Sequence, residues 1–300
     1  MPGTAPPSPI APRPLREILA AGERFLAAHG AQEPRAGVEW LAARLYGCGR
    51  LDLRLRADEP VPGPLLEAMR RGVRRLAAGE PVQHIVGRWE FHGHPVKTDR
   101  RALIPRPETE RLVDLVLEDS SLWDLPAPRI VDVGTGTGCI ALSLALERPQ
   151  GRYLATDASA DALSLARENA VLNRVDSVRF AECTDLSELL DPGSVDAIVS
   201  NPPYIPSAAV DALERSVRDF EPRLALDGGP DGMVVLRDIA EQAAMALADG
   251  GRLFLELDAE SGQAPKMAVL LRDLGFEAVA AHHDYAGRER FLSARLAAGL

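Results

Sequence analysis

The amino-acid sequence predicts an α/β protein: a doubly wound parallel sheet, preceded by a small all-helical domain and a β-hairpin linker. Three observations predict it. From Arg129 onward, short apolar runs alternate with stretches of helical periodicity, the pattern of strands joined by crossover helices. Within that region, Ile130-Val131-Asp132-Val133-Gly134-Thr135-Gly136-Thr137-Gly138 reads as a buried strand, a glycine loop and a helix start. Before residue 80, apolar residues recur at helical spacing in three segments, each closed by a glycine.

Taken in order, residues 1–13 crowd Pro2, Pro6, Pro7, Pro9 and Pro12 and read as a disordered leader. A helix is expected over 15–29, with Leu15, Ile18, Leu19, Phe25 and Leu26 inward. A second spans 34–46 (Val38, Leu41, Leu45, Tyr46) and a third 64–78 (Leu65, Met69, Val73, Leu76). Gly30, Gly47 and Gly79 end them as C-cap residues. Residues 14–80 thus form a helical domain, read as binding a partner and not as a site of chemistry. Over 81–104, alternation broken by Gly87, Gly93 and Pro95 predicts a hairpin linker with strands at 83–86, 89–92 and 96–98. Pro107, followed by Glu108 and Glu110 in a first turn, opens a helix and the catalytic domain, 105–300. Its strands are expected at 129–133, 152–156, 178–182, 195–200, 252–257, 276–281 and 290–296. Its helices fall at 138–148, 160–172, 208–217, 232–249 and 263–274. Only a loop separates the last two strands, which predicts an antiparallel pair at the sheet edge.

Composition excludes several classes. The net charge of −10 argues against a protein that coats nucleic acid, so no stable nucleic-acid binding is expected. Cys48, Cys139 and Cys183 are far apart with no CxxC spacing, which indicates neither a disulfide framework nor a zinc knot. His92 with His94, and His282 with His283, lack a second cluster at ligand spacing, so no metal is expected. No long uncharged apolar run suggests a membrane partner, and the start of the chain lacks a basic region followed by an apolar core. The expected setting is reducing and cytoplasmic.

The glycine loop carries the first chemical signal. Several nucleotide ligands use a GxG turn, but two common ones are disfavoured. The dinucleotide fingerprint wants glycine where Cys139 stands, and the P-loop's GK[ST] is absent. The next strand ends in Asp157, where a carboxylate can accept both hydroxyls of a ribose. G-x-G-x-G with that acid resembles the S-adenosylmethionine site of class I methyltransferases. The resemblance implies a Rossmann-like fold and S-adenosyl-L-methionine as cofactor, with S-adenosyl-L-homocysteine as product and no metal. It implies cofactor contacts from Asp132, Gly134, Thr135, Gly136, Thr137, Gly138, Asp157, Asp185, Leu186 and Asn201. Asp132, Asp157, Asp185 and Asn201 all fall at or just beyond the C-terminal ends of strands, where ligands sit in open α/β sheets.

The second signal is Ser200-Asn201-Pro202-Pro203-Tyr204-Ile205-Pro206, at the end of the apolar run Val195–Val199. Prolines lock φ and hold the loop rigid, so a planar amide and an aromatic ring are presented in one geometry. Such a loop suits gripping another planar NH2-bearing group. Asn-Pro-Pro-Tyr together with an S-adenosylmethionine loop resembles amino-methyltransferases, which implies an amide, adenine N6 or guanine N2 as acceptor. Asn201, Pro202 and Tyr204 are the candidate catalytic residues, and Asn201, Pro202, Pro203 and Tyr204 the candidate substrate grip.

Further residues narrow the choice. Gly79-x-Pro81-x-x-His84-Ile85-x-Gly87-x-x-x-Phe91-x-Gly93 and Leu103-Ile104-Pro105-Arg106-Pro107-Glu108-Thr109-Glu110 resemble the linker of the bacterial peptide chain release factor glutamine methyltransferases. Phe220-Glu221-Pro222, Ala225-Leu226-x-Gly228-Gly229-x-x-Gly232 and Asp284-x-x-Gly287-x-x-Arg290 resemble that family too. The chain departs from it at His84, usually Tyr, at Leu186, usually aromatic, and at Glu256-Leu257-Asp258, where Gln263 is displaced from its usual spacing. The resemblance implies methyl transfer to the side-chain nitrogen (N5) of the glutamine in the Gly-Gly-Gln loop of class I release factors. A monomer is expected, though nothing in the sequence decides it. Asn201's oxygen and the Pro202 carbonyl would accept the two amide N–H groups, with Tyr204 against the amide plane. Arg106 and Glu108 have two readings, lining the substrate path or tying the linker to the catalytic domain, and the second is favoured. Two rivals remain at this stage: an adenine-N6 DNA methyltransferase, which shares NPPY, and a non-catalytic cofactor-binding adaptor.

Overall fold

The computed structural model describes residues 13–299, so the leader expected over 1–13 lies outside the described residues except for Arg13. The chain divides after Val86 into two compact units. The first is helical: α1 (Leu15–Ala28), α2 (Pro34–Tyr46), α3 (Gly63–Ala77) and the short α4 (Val82–Val86). Leu15, Ile18, Leu26, Val38, Leu41, Met69 and Val73 form its core. Phe25, expected inside, is 41% exposed and stacks on His29. The buried stripe of α1 runs Leu15, Ile18, Gly22, Leu26, and a residue next to Leu26 is turned about 100° off it. Arg13 is held by its carbonyl, which accepts from the Val61 amide at 2.9 Å.

The strand expected at 83–86 is instead α4. Amides of His84 and Ile85 donate to the Pro81 carbonyl at 3.1 and 3.2 Å, closing a helical turn behind the proline. Burial falls on His84 and Val86, two residues apart, which mimics the alternation of a strand.

The second unit begins with a hairpin, β1 (Trp89–Phe91) and β2 (His94–Val96), then α5 (Pro107–Glu118) and α6 (Ser120–Trp123). The alternating part follows: β3 (Arg129–Val133), α7 (Cys139–Glu147), β4 (Arg152–Asp157), α8 (Ala160–Asn173), β5 (Val178–Glu182) and β6 (Val195–Ser200). Next come the short α9 (Ser207–Val210) and α10 (Arg215–Arg218), then α11 (Val234–Ala246), β7 (Leu247–Glu256), α12 (Gln263–Asp273), β8 (Phe276–His283) and β9 (Glu289–Leu296). One helix was expected over 208–217. Two single turns stand there because the stretch buries only Val210, and turns without an apolar face do not propagate.

The sheet runs β5-β4-β3-β6-β7-β9-β8. Its first five strands are parallel; β9 lies antiparallel between β7 and the edge strand β8. Side chains alternate between two cores. Ile130, Ala197, Val199 and Phe254 pack with α5 and α7, while Val131, Ile198, Leu253 and Leu255 pack with α11 and α12. This two-sided burial is why the strands read as continuous apolar runs. From β3 the chain winds outward through β4 and β5, then returns to place β6 on the other side of β3. The β3/β6 junction is therefore the topological switch point, where the strand ends open into a crevice. Among the described residues no helix is long and apolar enough to cross a membrane.

Candidate active site

The crevice at the switch point is a cavity of about 330 Å³, walled by the segments after β3, β4 and β6 and by residues 101–109. The turn after β3 forms one wall. Gly134 lies on it at φ +71°, a conformation that favours glycine, and a Cβ there would project into open space. A ligand can thus approach the backbone closely. The Thr135 amide donates to the Thr156 carbonyl at 2.9 Å, which ties the loop to β4.

Asp132 is buried beneath the loop and is not on the cavity wall. Its Oδ2 accepts from Thr135 Oγ1 at 2.6 Å and the Ala141 amide at 3.1 Å, while Oδ1 is buried without a partner. Burial pushes its pKa up to about 7; the two donors pull the other way and nearby Asp157 adds to the rise. Asp157 is on the wall. Its Oδ2 accepts from the Gly136 amide and Oδ1 from the Ser159 amide, each at 2.9 Å. Burial raises its pKa against those amide bonds. A carboxylate offers about four acceptor positions, so two amides leave room for two vicinal hydroxyls. Ala102, Ile140, Ala162, Val235 and Ile239 supply apolar wall. Cys139 also lines it, and burial pushes that thiol up to about 12, so it supplies no thiolate nucleophile.

The loop after β6 forms another wall, and Asn201, Pro202 and Pro203 all line the cavity. Ser200 Oγ donates to the Val133 carbonyl at 2.6 Å and joins the ends of β6 and β3. Asn201 Nδ2 donates to Thr109 Oγ1 at 3.0 Å. Thr109 in turn donates to Glu256 Oε2 at 2.8 Å, and the Tyr204 hydroxyl donates to Glu256 Oε1 at 3.3 Å. Gln263 Nε2 clamps the loop by donating to the Tyr204 carbonyl at 2.9 Å and the Gly232 carbonyl at 3.1 Å. Gly228 is pressed against the same loop: a Cβ there would meet the Pro203 carbonyl oxygen at 2.7 Å and Tyr204 Cα at 2.8 Å.

The structure therefore gathers most of the expected site, but Asp132, Gly138, Asp185, Leu186 and Tyr204 stand off the cavity wall. Asp185 is exposed, and its carboxylate caps the Ser187 amide at 2.9 Å. Leu186 is buried in the core behind the wall, its amide donating to Gln242 Oε1 at 2.8 Å. Neither is on the cavity wall; Cys183 and Thr184 are. Tyr204, expected against the substrate amide, is turned to Glu256 and is also off the wall. Gly138 likewise stands behind it, where a Cβ would meet Ala166 Cβ at 3.1 Å.

Arg106 lines the cavity and reaches Glu221 at 2.6 Å, while Glu108 is off the wall and faces Arg288 at 3.6 Å. Thr109, Glu221, Glu256 and Gln263 were not singled out as site residues from the sequence. Among the described residues, ligand atoms of His92, His94 and Glu147 come within 4.8 Å of one another, outside the cavity lining.

The fold and this crevice define a Rossmann-like methyltransferase. The Methyltransferase small domain model matches residues 116–230, and the PrmC N-terminal domain model matches residues 17–87. A solved methyltransferase from Pyrococcus furiosus shares the fold with a TM-score of 0.51 at 17% identity, covering 69% of this chain and 91% of that one. A release factor glutamine methyltransferase of Deinococcus radiodurans is 43% identical over 95% of this chain and 99% of its own length. Another, from Chlorobaculum tepidum, is 41% identical over 92% and 95%. The chain belongs to the release factor glutamine methyltransferase family.

Proposed function

We propose that this chain methylates the side-chain nitrogen (N5) of the glutamine in the Gly-Gly-Gln loop of class I peptide chain release factors, and so modulates translation termination. The observation that carries this is one cavity whose wall holds both the glycine loop with Asp157 and the rigid Asn201-Pro202-Pro203 grip. S-adenosyl-L-methionine, when bound, supplies an electrophilic methyl group on a sulfonium and becomes S-adenosyl-L-homocysteine. Gly134, with its open backbone, and Asp157, with two acceptor positions to spare, fit its adenosyl part.

An amide nitrogen is a poor nucleophile because its lone pair is delocalised into the carbonyl. Asn201 Oδ1 and the Pro202 carbonyl accept the two N–H groups of the substrate amide. This orients the nitrogen toward the methyl and stabilises the positive charge that develops on it. Gly134 and Asp157 would hold the donor, which would supply the methyl for the new nitrogen–carbon bond and keep the sulfur–carbon electron pair on leaving; the nitrogen's extra proton would pass to water. Pro202 and Pro203 keep the acceptors from moving as charge builds. Tyr204 acts from behind the loop. The enzyme works as a monomer in the cytoplasm; light scattering at working concentration checks the monomer.

The test is methyl incorporation from labelled cofactor into a purified class I release factor and, separately, into duplex DNA. Transfer to the release factor alone supports the proposal. Transfer to DNA alone overturns it in favour of an adenine-directed enzyme.

A further inference from the structure

The amide of Asn201 can serve as an acceptor only if its oxygen faces the cavity. Turned over, the same side chain would present its NH2 to the substrate's NH2, donor against donor. The two orientations have nearly the same shape, so something other than packing must choose between them. We propose that Thr109 and Glu256 are positioning residues that make this choice, fixing the direction of the hydrogen-bond chain behind Asn201. The proposal rests on the role given to Asn201 above.

The direction follows from donor and acceptor inventory. Glu256, at the end of β7, is 1% exposed, and an ionised carboxylate only accepts. Its Oε1 takes the Tyr204 hydroxyl at 3.3 Å, and its Oε2 takes the Thr109 hydroxyl at 2.8 Å. Burial, then the charge on Glu256, raise the Tyr204 pKa, so that hydroxyl keeps its proton and donates. Thr109 has one hydroxyl proton, and Glu256 holds it. The Thr109 oxygen can then only accept, and it accepts from Asn201 Nδ2 at 3.0 Å. With its NH2 engaged, Asn201 keeps Oδ1 for the cavity that it and Thr109 both line. Glu256 does not line that cavity, so it acts on Asn201 through Thr109.

The surroundings fit a carboxylate kept for this purpose. Burial pushes Glu256 up to about 7, and nearby Glu108 pushes the same way. The Thr109 and Tyr204 hydroxyls and the charge of Arg290 pull it back down. Arg290 is itself anchored on Asp284 at 3.2 Å. A buried acid inside an otherwise apolar strand end is costly unless it is fully partnered, and here both oxygens are.

The test is a set of full-length variants assayed for single-turnover methyl transfer to a release factor at about pH 8, where Glu256 is ionised. Cofactor affinity is measured alongside. Thr109→Val should lower turnover about ten-fold or more, while KM for the release factor and cofactor affinity hold. Thr109→Ser, which keeps the hydroxyl, should recover turnover to within about three-fold. Glu256→Gln retains an acceptor and should lose far less than Glu256→Leu. The decisive variant joins Thr109→Val to Asn201→Ala. If Thr109 acts through Asn201, the pair should be no slower than Asn201→Ala alone, to within about three-fold.

Wild-type turnover in Thr109→Val beside a crippled Asn201→Ala overturns the proposal and leaves the role of Asn201 standing. Losses that multiply in the double variant overturn it as well, because they mean independent action. An Asn201→Ala enzyme with full turnover removes the role of Asn201 and this proposal together.

Discussion

The two ends of the crevice are built differently. At the expected cofactor end, the parts come from two successive strands: Gly134 to Thr137 follow β3, and Asp157, 21 residues past Gly136, closes β4 and holds its amide at 2.9 Å. At the substrate end, only Asn201 to Tyr204 are contiguous. Its prolines stiffen the loop, but the side chains that hydrogen-bond to it come from afar: Thr109 lies 92 residues before Asn201, and Gln263 lies 59 residues after Tyr204. A site for a common cofactor can be made by one turn and one acid. A grip on a single amide needs its acceptors aimed, and aiming requires partners from several elements.

That contrast can be broken by substitution. Asn201→Ala should cost about 10²–10³-fold in turnover with cofactor binding kept, as for loss of one positioned hydrogen bond to developing charge. Near wild-type turnover would remove Asn201 from the chemistry. Asp157→Ala should do the converse. Removing a carboxylate acceptor is worth about 1.5–3 kcal/mol, or roughly ten- to hundred-fold in cofactor affinity by calorimetry. Unchanged affinity would show that the acid does not hold the ribose. Gln263→Ala should lower turnover several-fold without touching cofactor affinity, since it frees the Tyr204 and Gly232 carbonyls and the Asp258 amide, all on the Asn201 side of the crevice. A parallel loss of cofactor affinity would mean that the two ends are not separable.

The smallest effect is on stability. Asp132, at the cofactor end, has its pKa pushed up to about 7 by burial. The folded chain therefore keeps a proton that the unfolded chain releases in the ordinary carboxylate range. The associated stability is full below that range and is lost as pH rises through about 7. Between about pH 6 and about pH 8, the melting temperature of the wild type should fall relative to that of Asp132→Asn. Parallel curves for the two would contradict the assignment.

The same contrast explains what could be read in advance. The sheet, the glycine loop and Asp157 were legible because each depends on a local pattern: apolar runs, glycines after a strand, an acid at the next strand's end. The NPPY loop was legible as a rigid turn at a strand end, since two prolines and an amide state a geometry by themselves, and Asn201, Pro202 and Pro203 do line the cavity. Thr109 and Glu256 were not. Thr109 looked like part of a helix start and Glu256 like a departure in a family motif, and only the fold places their oxygens 2.8 Å apart. Gln263 seemed displaced by its spacing, yet α12 returns it to the Tyr204 carbonyl. Leu186 was assigned to the cavity from the family resemblance and Tyr204 from its place in the NPPY motif, but burial and hydrogen bonding turn both away from it. The turn at 82–86 was missed because a one-turn helix can bury residues two apart.

The central claim is that Asn201 and Pro202 aim one glutamine side-chain nitrogen at the methyl donor. Fragmentation mass spectrometry of a release-factor peptide, taken after incubation with enzyme and cofactor, tests it most directly. The account predicts a single added methylene on the glutamine of the Gly-Gly-Gln loop, located on its side chain, and its near absence with Asn201→Ala. An unmodified loop glutamine, or a methyl placed on any other residue, would contradict it.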